Sequence, residues 1–202
     1  SVGVDRRGVR PGSRTLHAVV DGETPDGPIG VYPGSFDPPT VAHVHLAEQA
    51  VDQLGLARLD LVISLDALGK DDDALSPVHE RVTELAHLAE GRPWLAAGTT
   101  PHRLIADIGE GYDVVVIGAD KWHQLLDPAW YGGTTERDEA LRRLPTVALA
   151  ARPPWTLPGD DPAAEPPDGV EIVVLDTDPS HHEVSATAVR AGRHEWRARH
   201  RP

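Results

Sequence analysis

The chain has no cysteine, so disulfides and thiolate-ligated zinc are excluded and nothing marks an oxidising compartment. It also has no apolar run approaching the length of a membrane span, and its first residues lack a signal-peptide core. A soluble cytoplasmic protein with no membrane partner is therefore the expectation. Positive charge is scarce: 19 Lys and Arg stand against 32 Asp and Glu, giving a formal charge of −13. Binding a nucleic-acid backbone needs a basic footprint, so no nucleic-acid partner is expected. A phosphate ligand would need positive groups gathered locally against that field. Lysine is nearly absent, with Lys70 and Lys121 alone, and Phe36 is the single phenylalanine.

What is present fills 202 residues, enough for one well-cored domain. Residues 1–28 read as an N-terminal extension with one weak strand at Leu16–Val20, and residues 29–202 as the domain proper. Arg58–Leu65 is a short continuous apolar run that suits a strand covered on both sides. Ser76-Pro77 and Thr100-Pro101 each read as a cap followed by proline at the first helical position. The first opens a helix to Gly91, and the second one stopped by Gly109. Trp94–Ala97, Tyr112–Ile117, Pro145–Ala150 and Val170–Leu175 read as strands, and Glu136–Leu144 as a polar helix. Residues 152–169 hold six prolines and predict a long irregular loop. This alternation predicts an α/β fold, a Rossmann-like, mostly parallel sheet with helices on both faces.

The stretch from Gly30 to His45 carries the clearest functional signal. It reads as a buried strand end, a tight turn and a helix start, which is where an α/β sheet places a ligand. Thr40 is a good N-cap, and Val41, Val44, Ala47, Val51 and Leu54 give one apolar helical face. Exposed N–H groups and partial positive charge at a helix start favour an anion. Taken alone, other motifs have ordinary readings: Ser185-x-Thr187-x-x-Arg190 as a capped helix, Trp122 and Trp130 as core or surface aromatics, His181-His182-Glu183 as solvated loop. Asp71–Asp73 reads as a solvated turn, with a magnesium role as the alternative.

Together, Gly34-Ser35-Phe36-Asp37-Pro38-Pro39-Thr40-Val41-Ala42-His43, Gly118-Ala119-Asp120-Lys121-Trp122 and Val184-Ser185-Ala186-Thr187-Ala188-Val189-Arg190 resemble the nucleotidyltransferase superfamily, nearest to the nicotinate or nicotinamide mononucleotide adenylyltransferases. The resemblance runs from about Gly30 to Arg190. It implies transfer of AMP from ATP, with Mg2+ accompanying it, to a small phosphorylated acceptor, most readily nicotinic acid mononucleotide, in NAD biosynthesis. It implies catalytic roles for His43, Ser35 and Arg190. It places Gly34, Phe36, Thr40, His43, Ser185, Thr187, Arg190 and Lys70 on the ATP phosphates, and Gly118, Asp120, Trp122 and Trp130 around the nucleotide and acceptor. No protein-held metal is expected, and the oligomeric state stays open, a homo-oligomer included. Thr40 stands where the first histidine of the pattern occurs, as in the phosphopantetheine adenylyltransferases, which makes that acceptor the alternative. Ala42 for glycine, Ala186 for a hydroxyl residue and the short tail after Arg190 favour a third reading, a nucleotide-binding domain without catalysis.

Overall fold

The computed structural model describes residues 18–66 and 75–200. Seven strands form one sheet: β1 Val19–Val20, β2 Ile29–Pro33, β3 Arg58–Ser64, β4 Leu95–Thr100, β5 Val114–Gly118, β6 Thr146–Ala150 and β7 Ile172–Val174, in the spatial order β1-β4-β3-β2-β5-β6-β7. All neighbours pair in parallel except β1, which lies antiparallel on the edge of β4. The helices are α1 Val41–Leu54, α2 Val78–Ala89, α3 Ile105–Ile108, α4 Ala119–Leu126, α5 Thr134–Arg142 and α6 Ala186–Arg190.

The side-chain period of two divides the strands between two cores. Leu59, Leu61, Ile63, Val114, Val116 and Ala148 face one core with Leu46, Ala47, Ala50, Leu85 and Leu88 from α1 and α2. Val31, Val62, Val115, Ile117, Val147 and Leu149 face the other with Ile105, Ile108, Trp122, Leu125 and Leu141. Helices therefore cover both faces, as the near-continuous apolar strands predict. From β2 the chain steps outward to β3 and β4, then returns to place β5 on the other side of β2. That reversal opens a crevice at the carboxyl ends of β2 and β5, the switch point of a doubly wound sheet. No described helix is long and apolar enough to cross a membrane.

Two helix starts differ from expectation. Ser76 does not cap α2; Pro77 occupies the cap position without a side-chain hydrogen bond, and the Ser76 amide donates instead to Asp37. Thr100 ends β4, and its hydroxyl accepts from the His102 amide, so α3 shrinks to a single turn at Ile105–Ile108. In both places the cap-and-proline pattern was real turn chemistry recruited by a neighbouring element.

At the amino end of the sheet, opposite the crevice, Asp60 is fully buried. It accepts from Arg58 Nε at 2.6 Å and Nη2 at 3.1 Å, and from the Tyr112 hydroxyl at 2.9 Å. Burial and the adjoining carboxylate push the Tyr112 hydroxyl far above its ordinary pKa, so it remains a donor. Arg58 also donates to the Glu23 carbonyl at 2.7 Å, fastening the segment after β1. Removing one partner of a buried pair strands the other, at a cost of about 3 to 5 kcal/mol. Asp60→Ala should therefore lower the urea unfolding free energy by about that amount. A loss below about 1 kcal/mol, the scale of a surface pair, would contradict this account.

Candidate active site

The loop after β2 is built around Phe36. Its φ of +46° is a left-handed conformation unusual for a bulky residue, and its ring is 1% exposed. Edge contacts to Tyr32, with centroids 5.3 Å apart, and to His43, at 5.0 Å, hold it there. The ring lies over Gly34 so closely that a Cβ on Gly34 would sit 2.8 Å from it. Gly34 is in turn tied to β3 by its amide, 3.1 Å from the Val62 carbonyl. Phe36 thus shapes the loop from beneath and offers a ligand its backbone.

Thr40 and His43 form a reciprocal cap at the start of α1. The Thr40 hydroxyl accepts from the His43 amide at 3.4 Å, and the Thr40 amide donates to His43 Nδ1 at 2.9 Å. An amide can only donate, so Nδ1 is the acceptor and the proton of the neutral imidazole resides on Nε2. His43 is thereby a fixed Nε2–H donor. The first turn of α1 carries no acidic side chain, so its partial positive charge is available to an anion.

A cavity of about 590 Å³ opens beside this cap. Gly34, Ser35, Phe36, Thr40, His43, Gly118, Asp120, Ser185, Thr187 and Arg190 all line it, so the three sequence motifs converge. Ser185 caps α6 by accepting from the Ala188 amide at 3.1 Å. Arg190 donates to the Asp37 carbonyl and, at 3.2 Å, to the Thr187 hydroxyl, which joins the last motif to the first. Asp37 is 5% exposed; burial alone would raise its pKa, but hydrogen bonds from Ser76 and the charges of Arg190 and Arg81 hold it below the ordinary carboxylate range. Gly118 lets Asp120 fold back over the strand end, since a Cβ there would lie 2.6 Å from Asp120 Oδ1. Ala42 and Ala186 also line the cavity, which remains open around them.

A second cavity, about 380 Å³, adjoins the first, and Trp130, Tyr131, Arg81, Arg103, Lys121 and Gln124 are in its wall. Trp130, 37% exposed, lies in that wall. Trp122 does not. It is fully buried in the core behind α4, and its Nε1 donates to the Ala164 carbonyl at 2.7 Å. The helical period explains the correction, because Trp122 takes the core face of α4 while Lys121, Gln124 and Leu125 line the cavity. Lys70 and Asp71–Asp73 lie outside the described residues.

Sequence reasoning missed Arg81. Its guanidinium is 6% exposed and donates to the carbonyls of Ser35 at 2.9 Å and Ser76 at 2.8 Å, clamping the loop onto α2. The signal was available: an arginine three residues after Val78, on the apolar face of its helix. Arg152, 3.9 Å from Asp120, was likewise unflagged. His181 and His182, expected in a solvated loop, line the larger cavity, and the His181 ring lies 4.4 Å from that of His45. Among the described residues no group of three or more His, Cys, Asp or Glu could hold a metal ion.

The cytidylyltransferase-like family matches residues 31–192. A Salinibacter ruber protein named "Probable nicotinate-nucleotide adenylyltransferase" is 27% identical over 183 residues, covering 84% of this chain and 87% of its own. A Methylorubrum extorquens protein of the same name is 30% identical over 142 residues, covering 64% of this chain and 72% of its own. The structure of Plasmodium falciparum nicotinic acid mononucleotide adenylyltransferase complexed with APC superposes with a TM-score of 0.60 at 13% identity, over 82% of this chain and 83% of that one. At that identity the likeness is one of fold.

The Asp37 carboxyl gives the loop a pH dependence whose sign follows from its depressed pKa. Its contribution is present above the unfolded carboxyl value and is lost as pH falls through the lower folded value. Asp37→Asn should therefore be less stable than wild type at pH 7, with the gap narrowing below about pH 4, in urea unfolding. A gap independent of pH would show that the charge on Asp37 is not what binds the loop.

Proposed function

Since the chain belongs to the cytidylyltransferase-like family of nucleotidyltransferases and is related to nicotinate-nucleotide adenylyltransferases, we propose that it transfers AMP from ATP to the phosphate of a pyridine mononucleotide, nicotinic acid mononucleotide by preference. The products are pyrophosphate and the dinucleotide, a step of NAD biosynthesis. The observation that carries this reading is the pair of adjoining cavities at the switch point, which share the strand end Pro33-Gly34-Ser35. Two substrates can meet there end to end.

An acceptor phosphate oxygen attacks the α-phosphorus of ATP, and the bond from that phosphorus to the oxygen bridging it to the β-phosphorus breaks, releasing pyrophosphate. The attacking group is already an anion, so no strong base is needed, and catalysis consists of alignment and neutralisation of charge. In this reading the larger cavity takes ATP. His43 Nε2–H and the amides of the Ser35-Phe36 turn donate to the α-phosphate, while Arg190, Thr187 and the first turn of α6 take the leaving pyrophosphate. Gly118 and Asp120 lie at the nucleotide sugar. Mg2+ enters as part of the substrate, held chiefly by phosphate oxygens, as this ion commonly is. The smaller cavity takes the acceptor, whose flat ring suits the exposed face of Trp130.

Pyrophosphate release from Mg·ATP, measured with nicotinic acid mononucleotide, nicotinamide mononucleotide, 4′-phosphopantetheine or no acceptor, tests the assignment. Turnover with the pyridine nucleotides is expected. Turnover with phosphopantetheine alone would reassign the acceptor, and none with any would leave a nucleotide-binding domain. His43→Ala should slow transfer about 100-fold or more, the scale of losing one transition-state donor, while the lost cap lowers the unfolding free energy by only about 1 kcal/mol. Nicotinic acid mononucleotide should quench tryptophan fluorescence, and Trp130→Ala should remove the quench and about 1 to 3 kcal/mol of affinity. A quench retained in that variant would place the ring elsewhere.

A further inference from the structure

The two cavities have five residues in common among those described: Pro33, Gly34, Ser35, Leu75 and Lys121. Of these, only Lys121 carries a charge. The arginines divide between the sides, Arg81 and Arg103 lining the smaller cavity and Arg152 and Arg190 the larger. Arg81 directs its guanidinium to two backbone carbonyls, and Arg190 to the Asp37 carbonyl and the Thr187 hydroxyl. Lys121 Nζ donates to Gln124 Oε1 at 2.5 Å, and Gln124 lines the smaller cavity alone. One turn of α4 thus holds a lysine ammonium at the seam, hydrogen-bonded to a residue that lines the acceptor side.

The reaction proposed above brings two phosphates together at that seam, and their mutual repulsion is greatest as the attacking oxygen nears the α-phosphorus. A cation reaching only one cavity binds one substrate without relieving that repulsion. Resting on that functional reading, we propose that Lys121 is the bridging cation of the reaction, its ammonium contacting the acceptor phosphate and the α-phosphate together, with Gln124 as the group that positions it. A lysine suits the task because its ammonium is a compact point charge with three rotatable donors, able to follow phosphates that move toward each other. Neither residue was given a role by sequence reasoning.

The test compares wild type, Lys121→Met, which keeps most of the stem and removes the charge, Lys121→Arg, which restores charge with another shape, and Gln124→Leu. Steady-state pyrophosphate release is combined with equilibrium binding of nicotinic acid mononucleotide, of its riboside lacking the phosphate, and of ATP. Lys121→Met should lower kcat about 100-fold or more, on the scale of one lost transition-state contact. It should weaken the mononucleotide about tenfold and leave the riboside unchanged, because the charge acts on the phosphate. Lys121→Arg should recover part of kcat, and Gln124→Leu should raise the acceptor KM more than it lowers kcat. An unchanged kcat/KM in Lys121→Met, or equal losses for mononucleotide and riboside, overturns the proposal, the second outcome marking a merely structural lysine. A wild-type protein that neither binds nor turns over the pyridine nucleotide overturns the functional reading itself, and this assignment with it.

Discussion

Thr40 and His43 exchange hydrogen bonds across the first turn of α1, and that exchange settles at once where the helix begins, which imidazole nitrogen holds the proton and which way the ring faces. A capping box ordinarily uses Glu or Gln for the reciprocal bond. Glu there would discharge the helix start from within, whereas a neutral imidazole leaves it positive and adds a donor. Phe36 packs on that ring, Gly34 lies under Phe36, and Arg190 reaches back to the Asp37 carbonyl. The loop, the helix and the last motif are therefore linked in one local arrangement, in which a change at His43 reaches the helix start and Phe36 by direct contact and the last motif through the loop.

The strongly acidic chain and the anion-directed site are reconciled by distance. Screening at physiological salt limits exposed charges to a range of about 8 Å, so acids spread along the chain act weakly at the crevice. The nearby groups decide. Arg81 and Arg190 adjoin the loop, where the charge of Asp37 is offset by the same two arginines and by the Ser76 amide, and Arg152 lies 3.9 Å from Asp120. Arginines clamped to backbone carbonyls spend little further entropy on being oriented, which favours a site already formed before a ligand arrives.

The fold and the three motifs were legible because each rests on local rules. Period-two apolar strands, a Thr cap before an apolar helical face, and glycine at strand ends are visible over a few residues, and β3, β5, β6 and α1 fall where those rules put them. What escaped depended on partners distant in sequence. The Ser76 amide is claimed by Asp37, 39 residues earlier, which no local capping rule contains. Trp122 and Lys121 are neighbours, and their opposite fates follow from the phase of α4 against the sheet, a tertiary fact. Arg81 was recoverable as a charge on an apolar helical face. Its acceptor, the Ser35 carbonyl 46 residues away, was not.

Gly34 is held to glycine by its neighbour's ring, not by its own backbone angles, and this changes what kind of variation the loop can accept. A side chain at position 34 has nowhere to go while Phe36 lies over it, and a smaller residue at 36 would leave Tyr32 and His43 without their packing partner. The two positions behave as a tumbler lock, in which either single replacement jams the mechanism and only a simultaneous exchange of both, with a bulkier residue entering at 34 as the ring leaves 36, could open an alternative shape. Libraries that randomise the loop one residue at a time should find both positions immutable, while paired libraries reach sequences that single steps never connect.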